Sequence, residues 1–441
     1  MATAATGFQQ SHDTWLAAFL DWEKHLANDC PWWLHGLRRM ALARFAELGF
    51  PTTKVEEWKY TNLVPLAQTV FEPARGPARK PRLSAGWLDS LDAWFVRTVN
   101  GHPVTLPSHR LLKVRSLRRA WQEGPELLQQ HFARYAAFDR HAFVALNTAF
   151  CDNGVLIEIA PGTVLERPVV VIHHLEPGER PLASHPRTLV LAGANSQAQI
   201  VEAWLGPDGQ VYLSNSVSEL LAGDGAVLDY VRLEMEGDQA FHFAAFHARQ
   251  LRSSTLAVHT VLLGGSLVRS EIGVVLDGEG ASTTLNGLYL AKGQQHMDNY
   301  TTLEHAQPHA TSFELYKGIL DGHSEGVFHG RIIVRPEAQK TDAIQRNKNL
   351  LLSQDAVVNT KPQLEIYADD VRCTHGATVG QVDADAVFYL RSRGVGHREA
   401  RRLLTLAFAQ EITGQVKPEA LREPLAAELL ARLDDPQVAA R

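Results

Sequence analysis

The turn markers Gly264, Gly278, Gly293, Pro308, Gly322 and Pro336 follow one another at intervals of 14, 15, 15, 14 and 14 residues, by subtraction of their numbers. Between them the lines VRSEIGVVLDGEG, STTLNGLYLAKGQ, MDNYTTLEHAQPH and SFELYKGILDGHS share one phase: polar first, apolar in the middle, a turn at the end. A unit this short cannot bury its apolar face alone, so units must stack on one another. The period therefore predicts a parallel β-helix, right-handed. Its texture starts near Cys151, where VLIEIA, VVVIHH, TLVLAG, AQIVEAW and VLDYVRLEM are separated by Gly, Asn, Asp and Pro. Asn347, Asn349 and Ser353 fit interior or turn positions of such coils, where they satisfy neighbouring backbone groups.

Repeat arrays need covered ends, and helical segments flank this one. Trp15, Leu16, Phe19, Leu20, Trp22 and Leu26 fall at helical spacing, and Leu34, Leu37, Met40, Ala41 and Phe45 continue it after Pro31. Gly49 and Pro51 end the second helix. Thr53 and Glu56 form a T-x-x-E capping box that starts a short helix carrying Glu57, Trp58, Lys59 and Tyr60. Its aromatics point to docking rather than chemistry. Residues 72–90 are rich in Pro, Gly and basic side chains and read as a linker or exposed loop. WFVRTV, Asn100-Gly101 and HPVTL make a hairpin, LLKVRSL adds a strand, and residues 118–149 are again helical. Three helices are expected after Asp383. The middle one places Ala400, Leu403, Leu404, Ala407 and Phe408 on one face, with Arg398, Arg401 and Arg402 at its start. The expected divisions are 1–150, 151–382 and 383–441.

A chain of 441 residues is too long for one ordinary core. Its formal charge of −6 gives no support to a nucleic-acid or anionic-membrane role. The start lacks a basic region followed by a long apolar core, and no apolar run approaches membrane-spanning length, so a cytoplasmic location is expected. No P-loop, strand-to-helix GxGxxG or GxSxG elbow is present, which leaves an enzyme without an engine. His305 and His309 have the spacing of a zinc-helix pair, but Pro308 lies between them and no HExxH frame exists. The cysteines, Cys30, Cys151 and Cys373, are odd in number and far apart. They form neither a disulfide framework nor a four-cysteine cluster site, and a cluster here would need ligands from a partner.

The chemistry converges on Cys373 and His375. In an extended segment two residues apart face the same way, so this pair can address one metal or sulfur atom, with Thr374 on the other side. Gly376 allows a tight backbone path, and Ala377 and Thr378 leave little bulk over the pair. A free cysteine serves as a small core residue as readily as a ligand, but Asp369, Asp370 and Arg372 beside it are costly to bury for packing alone. Around the pair, NKNLLLS, KPQLEIYADDV, CTHGATVG and FYLRSRG in this order resemble the SufB/SufD family of iron–sulfur cluster assembly scaffolds. FHGRIIV upstream extends the resemblance, and GFPTTKVEEWKYTNL is similar to the amino-terminal segment of the SufD branch.

The resemblance implies a non-enzymatic, SufD-like subunit that pairs with SufB through the β-helix ends and docks the SufC ATPase on its carboxy-terminal helices. It assigns Arg398, Arg401 and Arg402 to that docking surface. It also implies a nascent iron–sulfur cluster or iron shared with SufB, with His375, ranked above Cys373, as ligand. A flavin in the assembled complex and a homodimer of the isolated chain stay open, and no cofactor is expected in the isolated chain. The other classes considered are a β-helix carbohydrate-active enzyme and a purely structural platform.

Overall fold

The computed structural model of the chain describes residues 2–24, 30–78 and 83–433. Leu26 and the stretch 79–82 of the expected linker lie outside them. The centre of the fold is a parallel β-solenoid of two facing sheets, with 11 and 10 strands. Successive strands alternate between the sheets, so hydrogen-bonded neighbours are every second strand. Leu285 is in register with Glu314, Glu314 with Gln345, and Gln345 with His375, displacements of 29, 31 and 30 residues by subtraction. One coil is therefore twice the marker interval. Each Gly or Pro turn carries the chain across to the opposite sheet, and the sequence repeats at every crossing.

Inward side chains of both sheets, including Val171, Ile200, Tyr230, Phe246, Leu285 and Phe328, form one apolar column. Several of the polar groups enclosed there have partners. Glu202 accepts hydrogen bonds from Thr188 at 2.8 Å, Ser218 at 2.7 Å and Tyr230 at 2.7 Å, and lies 2.9 Å from His173 Nε2. Burial opposes its ionisation, but His173 and the Tyr230 hydroxyl hold the carboxyl down to about 2. Asn347 donates to the Tyr316 carbonyl at 3.2 Å, Asn349 to Asn347 Oδ1 at 2.6 Å, and Ser353 to the Gly322 carbonyl at 2.7 Å, the architectural roles their positions suggested.

Helices cover both outer faces. Ala2–Glu23, Trp32–Leu48 and Ala142–Phe150 lie on the 11-stranded sheet. There Trp15, Phe19, Phe45, Phe143 and Phe150 pack against Leu213, Phe241, Phe243 and Leu267. The Phe143 and Phe243 rings stack at 3.9 Å and 4°. Helices Ala384–Ser392, His397–Thr413 and Arg422–Leu433 follow the solenoid. The last two bury Ala409, Ile412, Leu425 and Leu429 against Val261, Leu288, Leu315 and Ile319 of the other sheet. The middle helix is rolled from the expected face: it buries Ala400, Thr405, Ala409 and Ile412, leaving Leu403 and Ala407 exposed. Lys317 sets that roll by donating to the Phe408 carbonyl at 2.7 Å and pairing with Glu411.

The capping box does not form. Glu56–Trp58 is one 3₁₀ turn whose N-cap is Val55, without a side-chain cap bond, because Glu56 reaches instead to Lys361. The segment docks as expected, more tightly than its aromatics alone imply. The Arg269 guanidinium sits 3.9 Å over the Trp58 ring and donates to the Glu57 carbonyl at 3.0 Å, and Thr61 donates to Asp298 Oδ2 at 2.6 Å. The hairpin Trp94–Val99/His102–Thr105 and the strand Leu112–Ser116 form as expected. They pair onto the first coil and supply the outermost strands of both sheets at that end.

A cleft of about 590 Å³ remains between the amino-terminal helices and the 11-stranded sheet. In it Glu271 Oε1 lies 2.8 Å from His141 Nδ1 and 3.7 Å from His247 Nε2. Attraction to Glu271 raises the His141 pKa against the cost of burial, with Arg269 opposing and Asp139 adding. An imidazole whose pKa is higher folded than unfolded stabilises while protonated. Stability from this pair is therefore full below the ordinary imidazole value of about 6.5 and lost as pH rises through the raised His141 value. His141→Ala should remove that alkaline loss, as read by urea denaturation across pH. Phe243→Ala, which empties a stacked core site, should lower the unfolding free energy by about 3–5 kcal/mol in the same assay.

Candidate functional site at the open end of the solenoid

The far end of the solenoid is built differently from the first. Among the described residues, Val357–Ile366 is paired on one side only, to Glu325–Val334, and Arg372–Gly380 only to Asp342–Leu351. Both strands therefore present a free row of backbone donors and acceptors. Val357, Ile366, Tyr367 and Val379 are exposed there. Pro362 interrupts one edge, where a missing N–H is tolerated.

Cys373 and His375 belong to this last strand. Its register is continuous, with Cys373 opposite Ala343 and His375 opposite Gln345. No bulge separates them, so they share the inward face, as their spacing predicts. Cys373 is half-buried against the end of the apolar column. Burial, reinforced by Asp342, pushes its thiol pKa up, which suppresses the thiolate in the chain alone. His375 is exposed. Gly376 lies in extended strand with open space where a Cβ would be, so it supplies clearance over the pair rather than a tight backbone path.

The flanking charges form the turn into the last coil. Asp370 pairs with Lys340, and its N–H donates to Gln339 Oε1 at 2.9 Å. Asp369, Asp370 and Arg372 are exposed and carry no desolvation cost. Among the described residues, no three His, Cys, Asp or Glu side chains group to hold a metal ion. The other cysteines serve elsewhere: Arg38 Nη1 lies 3.1 Å from Cys30 Sγ, and burial pushes the Cys151 thiol up to about 11.

The three arginines meet different neighbours. Arg401 turns toward the solenoid, its Nη2 donating to the Leu352 carbonyl at 3.1 Å, while Arg402 pairs with Glu399 at 3.2 Å and Arg398 is exposed. Sequence reading overlooked two groups that the fold brings to this end. Lys361 ties the Glu56 segment to the penultimate strand, a pairing across 305 positions that no local pattern carries. Gln345, buried beneath His375, was legible from the alternation of QRNKNLLLS, which turns it inward with Asn347 and Asn349.

Sequence comparison places these features in a lineage. The SufBD core domain of the SUF system for FeS cluster assembly matches residues 174–408, and the SufBD amino-terminal region matches residues 9–171. The iron–sulfur cluster assembly protein SufD of Escherichia coli is 30% identical over 408 residues, 89% of this chain and 91% of that protein. SufD of Bacillus subtilis is 26% identical over 420 residues, 91% and 94% of the two chains. A SufBD family protein of Synechocystis is 36% identical over 282 residues, 62% of each. No helix among the described residues is long and apolar enough to cross a membrane. With both family regions matched end to end and the solenoid between its helical flanks, this chain belongs to the SufB/SufD family of iron–sulfur cluster assembly proteins.

Proposed function

We propose that this chain is a SufD-type scaffold subunit that acts in the cytoplasm without catalysis of its own. It pairs with SufB through the open end of the solenoid, and its carboxy-terminal helices, with Arg398 the exposed member of the arginine set, dock the SufC ATPase. The observation that carries this reading is the coincidence of two unpaired sheet edges, exposed Val357, Ile366, Tyr367 and Val379, and His375 at one end of the molecule. Uncovered edges of this length invite association, and a partner strand or coil laid there brings its own side chains over His375.

Iron and persulfide sulfur are the cargo. A neutral imidazole from His375 is a reasonable iron ligand beside a thiolate from the partner. Cys373, half-buried and with a raised thiol pKa, is the secondary ligand. The isolated chain would hold no cofactor, and any flavin would belong to the assembled complex.

Co-expression with SufB and SufC, followed by iron and sulfide analysis of the purified complex, tests the ligand assignment. His375→Ala should leave the complex intact and reduce iron and sulfide to near background, whereas Cys373→Ala should retain more of both. A complex that loads normally without His375 would reduce the chain to a structural partner, and failure to form any complex would reopen the β-helix enzyme reading. At the edge itself, Val379→Asp should weaken binding to SufB by about tenfold, roughly 1.4 kcal/mol, in a titration of the purified subunits.

A further inference from the structure

Leu285, Glu314, Gln345 and His375 occupy one register column across four successive strands of the 10-stranded sheet. The column faces inward: Leu285 belongs to the apolar interior, and Glu314 and Gln345 are both fully buried. Two polar side chains therefore stand inside the solenoid directly beneath the exposed imidazole. Gln345 Nε2 donates to Glu314 Oε2 at 2.6 Å. That bond fixes which way the amide points. Its other atom, Oε1, is buried without a hydrogen-bond partner, a state that costs free energy unless something donates to it.

The opposite sheet makes room for this amide. A Cβ on Gly330 would stand 2.3 Å from Gln345 Nε2 and 2.7 Å from the Phe328 ring, so only glycine leaves the side chain its place. Strands in a sheet lie about 4.8 Å apart, a spacing over which an imidazole N–H reaches an amide oxygen on the neighbouring strand. An imidazole that gives one N–H to such an acceptor offers the lone pair of its other nitrogen, the usual arrangement behind a metal-ligating histidine.

We infer that Gln345 is a positioning residue for His375: a turn of the exposed imidazole lets its N–H donate to the unpartnered Oε1 and aims the second ring nitrogen out of the open end, while Glu314 holds the amide in that orientation. This role presupposes that His375 is a ligand, as proposed above. Burial pushes the Glu314 carboxyl up to about 7; in its ionised form it only accepts, which holds the Gln345 amide with Nε2 toward it and Oε1 away.

The full chain labelled with ¹⁵N-histidine, studied alone at alkaline pH, tests the arrangement. Long-range ¹H–¹⁵N correlations report the tautomer of His375 directly. In the wild type one tautomer should be favoured by about fivefold over the ratio of a solvent-exposed imidazole, the effect of one hydrogen bond. Gln345→Leu, a residue the column already holds at Leu285, should abolish the bias. Glu314→Gln, which lets the Gln345 amide turn over, should weaken it. A wild-type His375 with the exposed ratio, or a bias that survives Gln345→Leu, overturns the inference. The measurement needs neither SufB nor a cluster, so normal cluster loading by His375→Ala would sink the ligand assignment and leave the tautomer result to be judged by itself.

Discussion

Every coil of this solenoid satisfies its backbone through the coils above and below it. The register runs unbroken from Gln197–Leu205 to Arg372–Gly380 in one sheet. Because parallel pairing of this kind is repetitive, it has no internal reason to stop. The structure stops it twice, by different means. At the first end the short antiparallel strands His102–Thr105 and Leu112–Ser116 terminate the sheets, and at the last end, among the described residues, the sheets finish on the full-length parallel strands Val357–Ile366 and Arg372–Gly380. The asymmetry follows from which side chains and backbone groups are left over, and it singles out the end proposed for the partner.

The interior adds a second constraint. A column made only of Val, Leu and Phe would tolerate slippage, whereas polar groups with fixed partners do not. Glu202 draws hydrogen bonds from both sheets at the level of one coil, and Tyr289, Asn347 and Asn349 link three coils farther along. Slipping the register by one residue would turn these groups outward and strand their partners. The outer faces are equally specific: Glu219 accepts from the N–H groups of Ala133, Tyr135 and Ala136 while paired with Arg187, so the amino-terminal region is seated by a buried charge as well as by its aromatic rings.

Much of this was legible in the sequence, for reasons that show where legibility ends. The marker interval announced the solenoid, because a turn is needed at every crossing between sheets; that the interval is half a coil was hidden, since both halves carry the same alternation. The same-side placement of Cys373 and His375 followed from strand geometry. The capping box failed because Glu56 has a stronger partner in Lys361 than the local backbone offers. The expected face of the helix His397–Thr413 failed because Lys317, from a strand 80 or more positions earlier, sets its roll. Local rules mislead where a charged side chain has a distant counterpart.

That distant counterpart has a consequence for the order in which the molecule comes into being. Chains emerge from the ribosome amino terminus first and fold as they emerge. Here the Glu56 segment can bind Arg269 and Asp298 once residues up to 298 of the 441 have been made, but its contact to Lys361 and the two outermost strands arise only after nearly all of the solenoid has been made. The surface proposed for the partner is the last part of the solenoid to exist. A chain stalled before Val357 lacks both of these strands.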